Sequence, residues 1–303
     1  MASWQNFVLS YFLKKKLRSQ PVTDDEALIV RLTRRALGKP TLQLPTPKNA
    51  QIIPFEEKNL RGEWVFWKNQ TPSRTLLYLH GGGYFACSPQ THRSITLALA
   101  KSLNVRILAL DYRLAPEHRF PAALDDAFAA YQYLLKNGVL PQNLLVAGDS
   151  AGGGLTLALL LKIRDEQQLL PKAAVCFSPW TDLTATGSSL QTNDATDAMF
   201  GHDGIRFGAK IYPGPHNNPT NPYISPLYGD FTGLPPLLIF ASQHEVLRDD
   251  AVRVAEKARR QGVEVDLQVW DKLPHVWPIF VGILPEARQA INYVAQKLNQ
   301  PNL

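Results

Sequence analysis

Apolar residues run along this chain in two alternating rhythms. Short continuous runs read as strands buried on both faces: "TLLYLH" at 75–80, "VRILALDY" at 105–112, "NLLVAGDS" at 143–150, "KAAVCFSPW" at 172–180, "PPLLIFAS" at 235–242 and "VEVDLQVW" at 263–270. Between and after them lie stretches with helical spacing: 91–103, 121–138, 151–167, 249–262 and 285–298. The second begins at Pro121 and stops at Gly138, each a residue suited to its end of a helix. Continuous apolar strands that alternate with helices predict an α/β fold, a mostly parallel sheet with helices on both faces.

Two regions break the rhythm. Residues 1–45 precede the first regular strand, and 183–225 are rich in Thr, Ser, Asn, Gly and Pro, with one short helical patch near "DGIRFGAKIY". A long irregular stretch inside a compact domain is commonly a lid or binding element. At the N-terminus, Trp4, Phe7, Val8, Tyr11 and Phe12 recur on one face of a short helix. The favoured reading packs that face on the protein itself. The other makes it a basic amphipathic anchor on a membrane surface.

Composition narrows the function classes. The chain has 303 residues and a formal net charge of +6, but residues 1–40 hold eight Lys and Arg against three acids, so the body is nearly neutral. No basic stripe with interleaved aromatics runs through it, which argues against nucleic acid. No apolar run reaches about 18 residues, so no transmembrane helix is expected. The lysines follow the N-terminal apolar residues, the reverse of a secretion signal. Two cysteines, Cys87 and Cys176, give neither a disulfide framework nor metal-ligand spacing, so a cytoplasmic setting is the simpler reading and no metal or cofactor is expected.

The chemistry centres on "GDSAGG" at 148–153, between a strand and a helix. G-x-S-x-G in that setting forms a tight turn that exposes a serine, here Ser150, at a helix N-terminus. A serine needs a base, and the base needs an acid to orient it. His275, on the loop after the last strand, is the candidate base. Glu245, nearest the end of "PPLLIFAS", is the favoured acid, with Asp249 the fallback because Asp249 and Asp250 suit the first turn of the next helix. The glycines of "HGGG" at 80–83 offer backbone N–H groups to a substrate oxygen, and Ala151 offers another. Tyr84, Phe85 and Trp180 are candidates for the pocket wall or for core packing. Asp149 is read as a stabiliser of the turn, Cys87 as a small apolar residue, and Arg113 and Glu117 as an ion pair.

"HGGGY" at 80–84, "DYRLAPEHRFPAA" at 111–123, "GDSAGG", "SPWTDL" at 178–183 and "LPHVW" at 273–277 together resemble the hormone-sensitive-lipase family of α/β hydrolases, the bacterial family IV esterases. The resemblance implies the α/β-hydrolase fold with a helical cap, organised as cap (1–45), core (46–182), cap insertion (183–225) and core (226–303). It implies that Gly82, Gly83 and Ala151 form the oxyanion hole and that His80 braces the glycine loop. The family's acid loop reads D-P-L-R-D-E, whereas this chain reads "EVLRDD", with Glu245 in place of the usual aspartate. The implied function is a serine carboxylesterase acting on small esters of short to medium acyl length. Amide or arylacetamide hydrolysis, and small-molecule binding on a hydrolase scaffold, are the alternatives. Homodimers are common in the family.

Overall fold

The computed structural model describes residues 2–18, 25–39 and 46–300. Its centre is an eight-stranded sheet: β1 (Ala50–Glu57), β2 (Leu60–Trp67), β3 (Arg74–Leu79), β4 (Val105–Leu110), β5 (Leu144–Asp149), β6 (Ala173–Phe177), β7 (Leu237–Ser242) and β8 (Val265–Trp270). The order is β1-β2-β4-β3-β5-β6-β7-β8, antiparallel for β1 with β2 and for β2 with β4, and parallel from β4 to β8. Every residue of β5, β6 and β7 is buried, as their unbroken apolar runs require.

Helices α1 (Trp4–Leu17) and α2 (Glu26–Leu37) precede the sheet. They are followed by α3 (Arg93–Leu103), α4 (Ala122–Lys136), α5 (Ala151–Asp165), the one-turn α6 (Ser189–Thr192), α7 (His202–Ile211), α8 (Arg248–Arg260) and α9 (Pro285–Leu298). Side chains of α4, α5 and α8 join one apolar core, and those of α3, α9 and α1 the other. The strands read from the sequence therefore appear as β3 to β8. The β1–β2 hairpin is additional. Pro54 lies in β1, which a sheet tolerates because β1 is an edge strand.

The order reverses between β3 and β5, since β3 leads to β4 on one side and β5 to β6 on the other. In open α/β sheets ligands bind beyond the carboxyl ends of strands at such a point. The loops after β3, β5, β7 and β8 carry Gly82, Ser150, Glu245 and His275. The turns at Gly138, Gly233 and Gly262 precede β5, β7 and β8, at the other end of the strands.

The structure corrects the reading of α1. Its inner face is Asn6, Leu9 and Leu13, while Trp4, Phe7, Val8, Tyr11 and Phe12 are 47 to 71% exposed. The helix carries apolar residues on two opposite faces. The one with smaller side chains fits the body of the protein, anchored by the Asn6 amide donating to the Lys272 carbonyl (2.7 Å) and by Ser3 on Glu286.

Candidate active site

Ser150 sits between β5 and α5 with φ 52° and ψ −121°. A non-glycine residue there costs on the order of 1–3 kcal/mol and persists only when its surroundings hold it. They do: its N–H donates to the Phe177 carbonyl (2.8 Å), and its carbonyl accepts from Trp180 (2.9 Å) and Gly154 (3.1 Å). Gly152 is required by close approach, because a Cβ there would lie 2.0 Å from the Leu79 carbonyl oxygen. That approach packs the start of α5 against the end of β3, so the serine and the glycine loop share one rim.

Glu245 and His275 are both fully enclosed, at 0% and 1% exposure. His275 Nδ1 lies 2.8 Å from Glu245 Oε2, and Glu245 Oε1 accepts from the Ser242 amide at 2.9 Å. The His275 loop is fixed from behind, where Ser242 Oγ donates to the Leu273 carbonyl (2.6 Å) and the Val276 amide donates to Ser178 Oγ (3.1 Å). Burial alone would lower the His275 pKa. The hydrogen bond and charge of Glu245, with the charges of Asp197 and Asp149, outweigh it, and the pKa stands above the usual 6.5. The remaining ring nitrogen, Nε2, is buried without a hydrogen-bond partner among the described residues. Ser150 lines the same cavity, and its hydroxyl makes no hydrogen bond to Nε2. Asp249 and Asp250 point elsewhere. The Asp249 carboxylate accepts from Ser188 Oγ and the Ser189 amide, and that of Asp250 from the Thr181 and Asp182 amides.

The glycine loop is tied to the Ser150 turn by Asp149. Its Oδ1 accepts from the Tyr78 hydroxyl (2.7 Å) and the Gly81 amide (3.1 Å), and its Oδ2 lies 3.2 Å from His92 Nε2. The expected stabiliser of the turn thus acts across to the neighbouring loop. Gly82 takes φ +115°, and a Cβ there would meet the Ala86 carbonyl at 2.2 Å, so only glycine fits. Gly83 follows with φ +65°, and Ala151 opens α5. His80 stacks on Tyr112 (4.3 Å between centroids) and its Nδ1 contacts the Gly81 carbonyl oxygen. Burial pushes its pKa down to about 3, so it is a neutral brace.

Ser150, His275 and Gly82 line one cavity of about 100 Å³, with Leu37, Met199 and Phe200 among its apolar walls. Tyr84, Phe85 and Trp180 do not line it. Tyr84 stacks on Tyr212 (3.7 Å), and Phe85 and Trp180 pack against Gly208 of α7. These aromatics seat the 183–225 segment on the core. Cys87 lines the cavity, and burial pushes its thiol up to about 12, which keeps it protonated. The expected Arg113–Glu117 pair is also absent. Arg113 grips Asp126 of α4 in a forked contact (2.7 Å), and Glu117 pairs with Arg34 of α2 (2.7 Å). Sequence reasoning passed over His92 and Phe200. Phe200 lies edge-on to His275 (5.2 Å), in a segment with no periodicity to place it.

Residues 76–279 match the family profile described as the alpha/beta hydrolase fold. The chain belongs to that family, within its bacterial hormone-sensitive-lipase branch. It is 33% identical over 294 residues to an esterase of Acinetobacter venetianus, covering 97% of this chain and 95% of the relative. It is 45% identical over 229 residues to an acetyl-hydrolase of Streptomyces hygroscopicus, 76% of each chain. A crystal structure of an esterase from the bacterial hormone-sensitive lipase family superposes with a TM-score of 0.90 at 38% identity, covering 98% of both chains. So does a structure of EstE5 soaked with p-nitrophenyl butyrate, with a TM-score of 0.90 at 36% identity and the same coverage.

Proposed function

We propose that this carboxylic ester hydrolase acts through Ser150, His275 and Glu245 on esters of short to medium acyl length. Ser150 Oγ attacks the ester carbonyl and His275 Nε2 takes its proton. Glu245 holds the imidazole in the tautomer that leaves Nε2 free and stabilises the imidazolium that forms. The amides of Gly82, Gly83 and Ala151 meet the oxyanion, where donors fixed in advance act most strongly. His275 then gives its proton to the leaving alcohol. Water, activated by the same imidazole, releases the acid from the acyl-enzyme.

The observation that carries this reading is the buried 2.8 Å contact of His275 with Glu245 in a cavity that also holds the strained Ser150 turn. The small volume and apolar walls favour a short acyl group. We assign residues 1–45 and 183–225 to a cap over this cavity. Leu37 comes from the first segment and Met199 and Phe200 from the second, and Arg18–Asp194 (3.2 Å) joins the two.

The test is hydrolysis of p-nitrophenyl esters of increasing acyl length, with the matching anilides alongside, by wild type and Ser150→Ala. Ester turnover that is highest on the short acyl groups and lost in Ser150→Ala is expected. Retained activity in that variant would remove Ser150 from the mechanism.

A further inference from the structure

The outer face of α1 has no role in the hydrolysis described above. Five side chains, Trp4, Phe7, Val8, Tyr11 and Phe12, stand on it in the i, i+3, i+4, i+7, i+8 pattern, 47 to 71% exposed. A contiguous apolar patch of this kind marks a binding surface. Its direction is fixed, because the opposite face is buried through Leu9 and Leu13 and the helix is tied down at both ends. Asn6 donates to Lys272, and Lys14 Nζ donates to the Ala195 carbonyl (2.8 Å).

Charge says what covers it. The helix sequence "WQNFVLSYFLKKKL" holds no acid and ends in Lys14, Lys15 and Lys16, all exposed. Trp, Tyr and Phe beside lysines make a face that lies in the headgroup layer of a bilayer, rings toward the acyl chains and ammonium groups toward anionic headgroups. A second copy is the poorer fit. The five side chains expose on the order of 600 Å² of apolar surface, less than the ~800 Å² per partner of a standard protein interface. No helix among the described residues is long and apolar enough to cross a membrane, so the contact is one of lying on the surface.

We propose that the outer face of α1 docks the protein on anionic phospholipid bilayers. This goes beyond the hydrolytic reading and does not depend on it. The docking helix is bonded to the segment that carries Phe200, through Arg18 on the Phe200 carbonyl, and to the loop that carries His275, through Asn6. Docking therefore sets the elements around the cavity next to the lipid, where apolar esters concentrate.

The experiment is flotation of the full chain with vesicles of phosphatidylcholine, with and without phosphatidylglycerol, read by protein amount and not by turnover. Binding to the mixed vesicles, released by high salt, is expected. Lys15→Gln with Lys16→Gln should weaken it about fivefold for each charge removed. Phe7→Ser with Tyr11→Ser should abolish it at an unchanged melting temperature, since both rings are exposed. No wild-type binding to mixed vesicles, or binding indifferent to salt and to both variants, would overturn the proposal. So would a wild-type dimer in sedimentation that Phe7→Ser with Tyr11→Ser splits, since a second copy would then cover the face.

Discussion

His275 Nδ1 and Glu245 Oε2 meet at 2.8 Å with both side chains shut away from solvent. The acid carries one methylene more than the aspartate usual at this place in the family. Glu245→Gln removes the charge and offers the wrong hydrogen-bonding partner for the imidazole. Its kcat should fall by about 10³–10⁴-fold with little change in KM. Glu245→Asp withdraws the carboxylate by one methylene and should cost roughly 10–100-fold. The acid limb of the wild-type kcat/KM profile should lie above pH 6.5, because His275 must be neutral to act and its pKa is raised. In Glu245→Gln burial loses its main opponent, so that limb should move to lower pH. Initial rates from acid to neutral pH check both statements. A limb that stays put would detach Glu245 from His275.

Asp149 holds the glycine loop from one residue before Ser150, through Gly81, Tyr78 and His92. Asp149→Ala leaves that loop and the buried His92 without their anion. It should destabilise the fold by about 3–5 kcal/mol, the usual effect of removing one partner of a buried pair. Oxyanion donors act in the transition state, so kcat should fall roughly 10–100-fold while KM changes little. Asp149→Asn, which keeps an acceptor for Gly81, should recover part of the rate. Urea unfolding and steady-state kinetics on both variants decide it. An Asp149→Ala enzyme that lost only stability would confine Asp149 to packing.

Asp250 carries the opposite electrostatics. Burial, with the nearby charge of Asp182, outweighs the amides of Thr181 and Asp182 and raises its pKa to about 7, and its Oδ1 has no partner among the described residues. A carboxyl whose folded pKa is raised binds its proton more tightly in the native state. The stability this gives is present at acid pH and is lost as pH rises from about 4 to about 7, on the order of 4 kcal/mol for this group. Asp250→Asn should flatten that slope. Urea midpoints across this range, for wild type and variant, supply the measurement, and parallel slopes would refute it.

The parts of the fold legible in the sequence are those dictated by local pattern. β3 to β8 are apolar runs because both faces are covered, and α3, α4, α5, α8 and α9 keep a helical spacing between them. The β1–β2 hairpin escaped because Pro54 and the alternating charges of an edge pair resemble a loop. Ser150 and Gly82 announce themselves by turns that only particular residues can make. Glu245 and His275 follow from their places after strands. Glu245 and His275, 30 residues apart, meet as expected, but the expected local pair Arg113–Glu117 gave way to partners from further away in the chain. Arg113 found Asp126, and Glu117 found Arg34, 83 residues away. Tyr84 found Tyr212. Sequence period showed that α1 has an apolar face, but its partner face, Leu9 and Leu13, decides which side turns inward.

The turns at Gly138, Gly233 and Gly262 sit at the amino ends of β5, β7 and β8. A Cβ built at any of them meets nothing within 4 Å, but each has a φ of 77 to 87°, which strains any other residue, so the open space there suits an insertion beside the glycine and not its replacement. Ser150, Glu245 and His275 lie at the carboxyl ends of the same strands. The sheet thereby separates where the protein reacts from where it can be handled. A surface tether or a peptide inserted at those three turns stays a strand's length from the Ser150 cavity, about 20 Å for six residues.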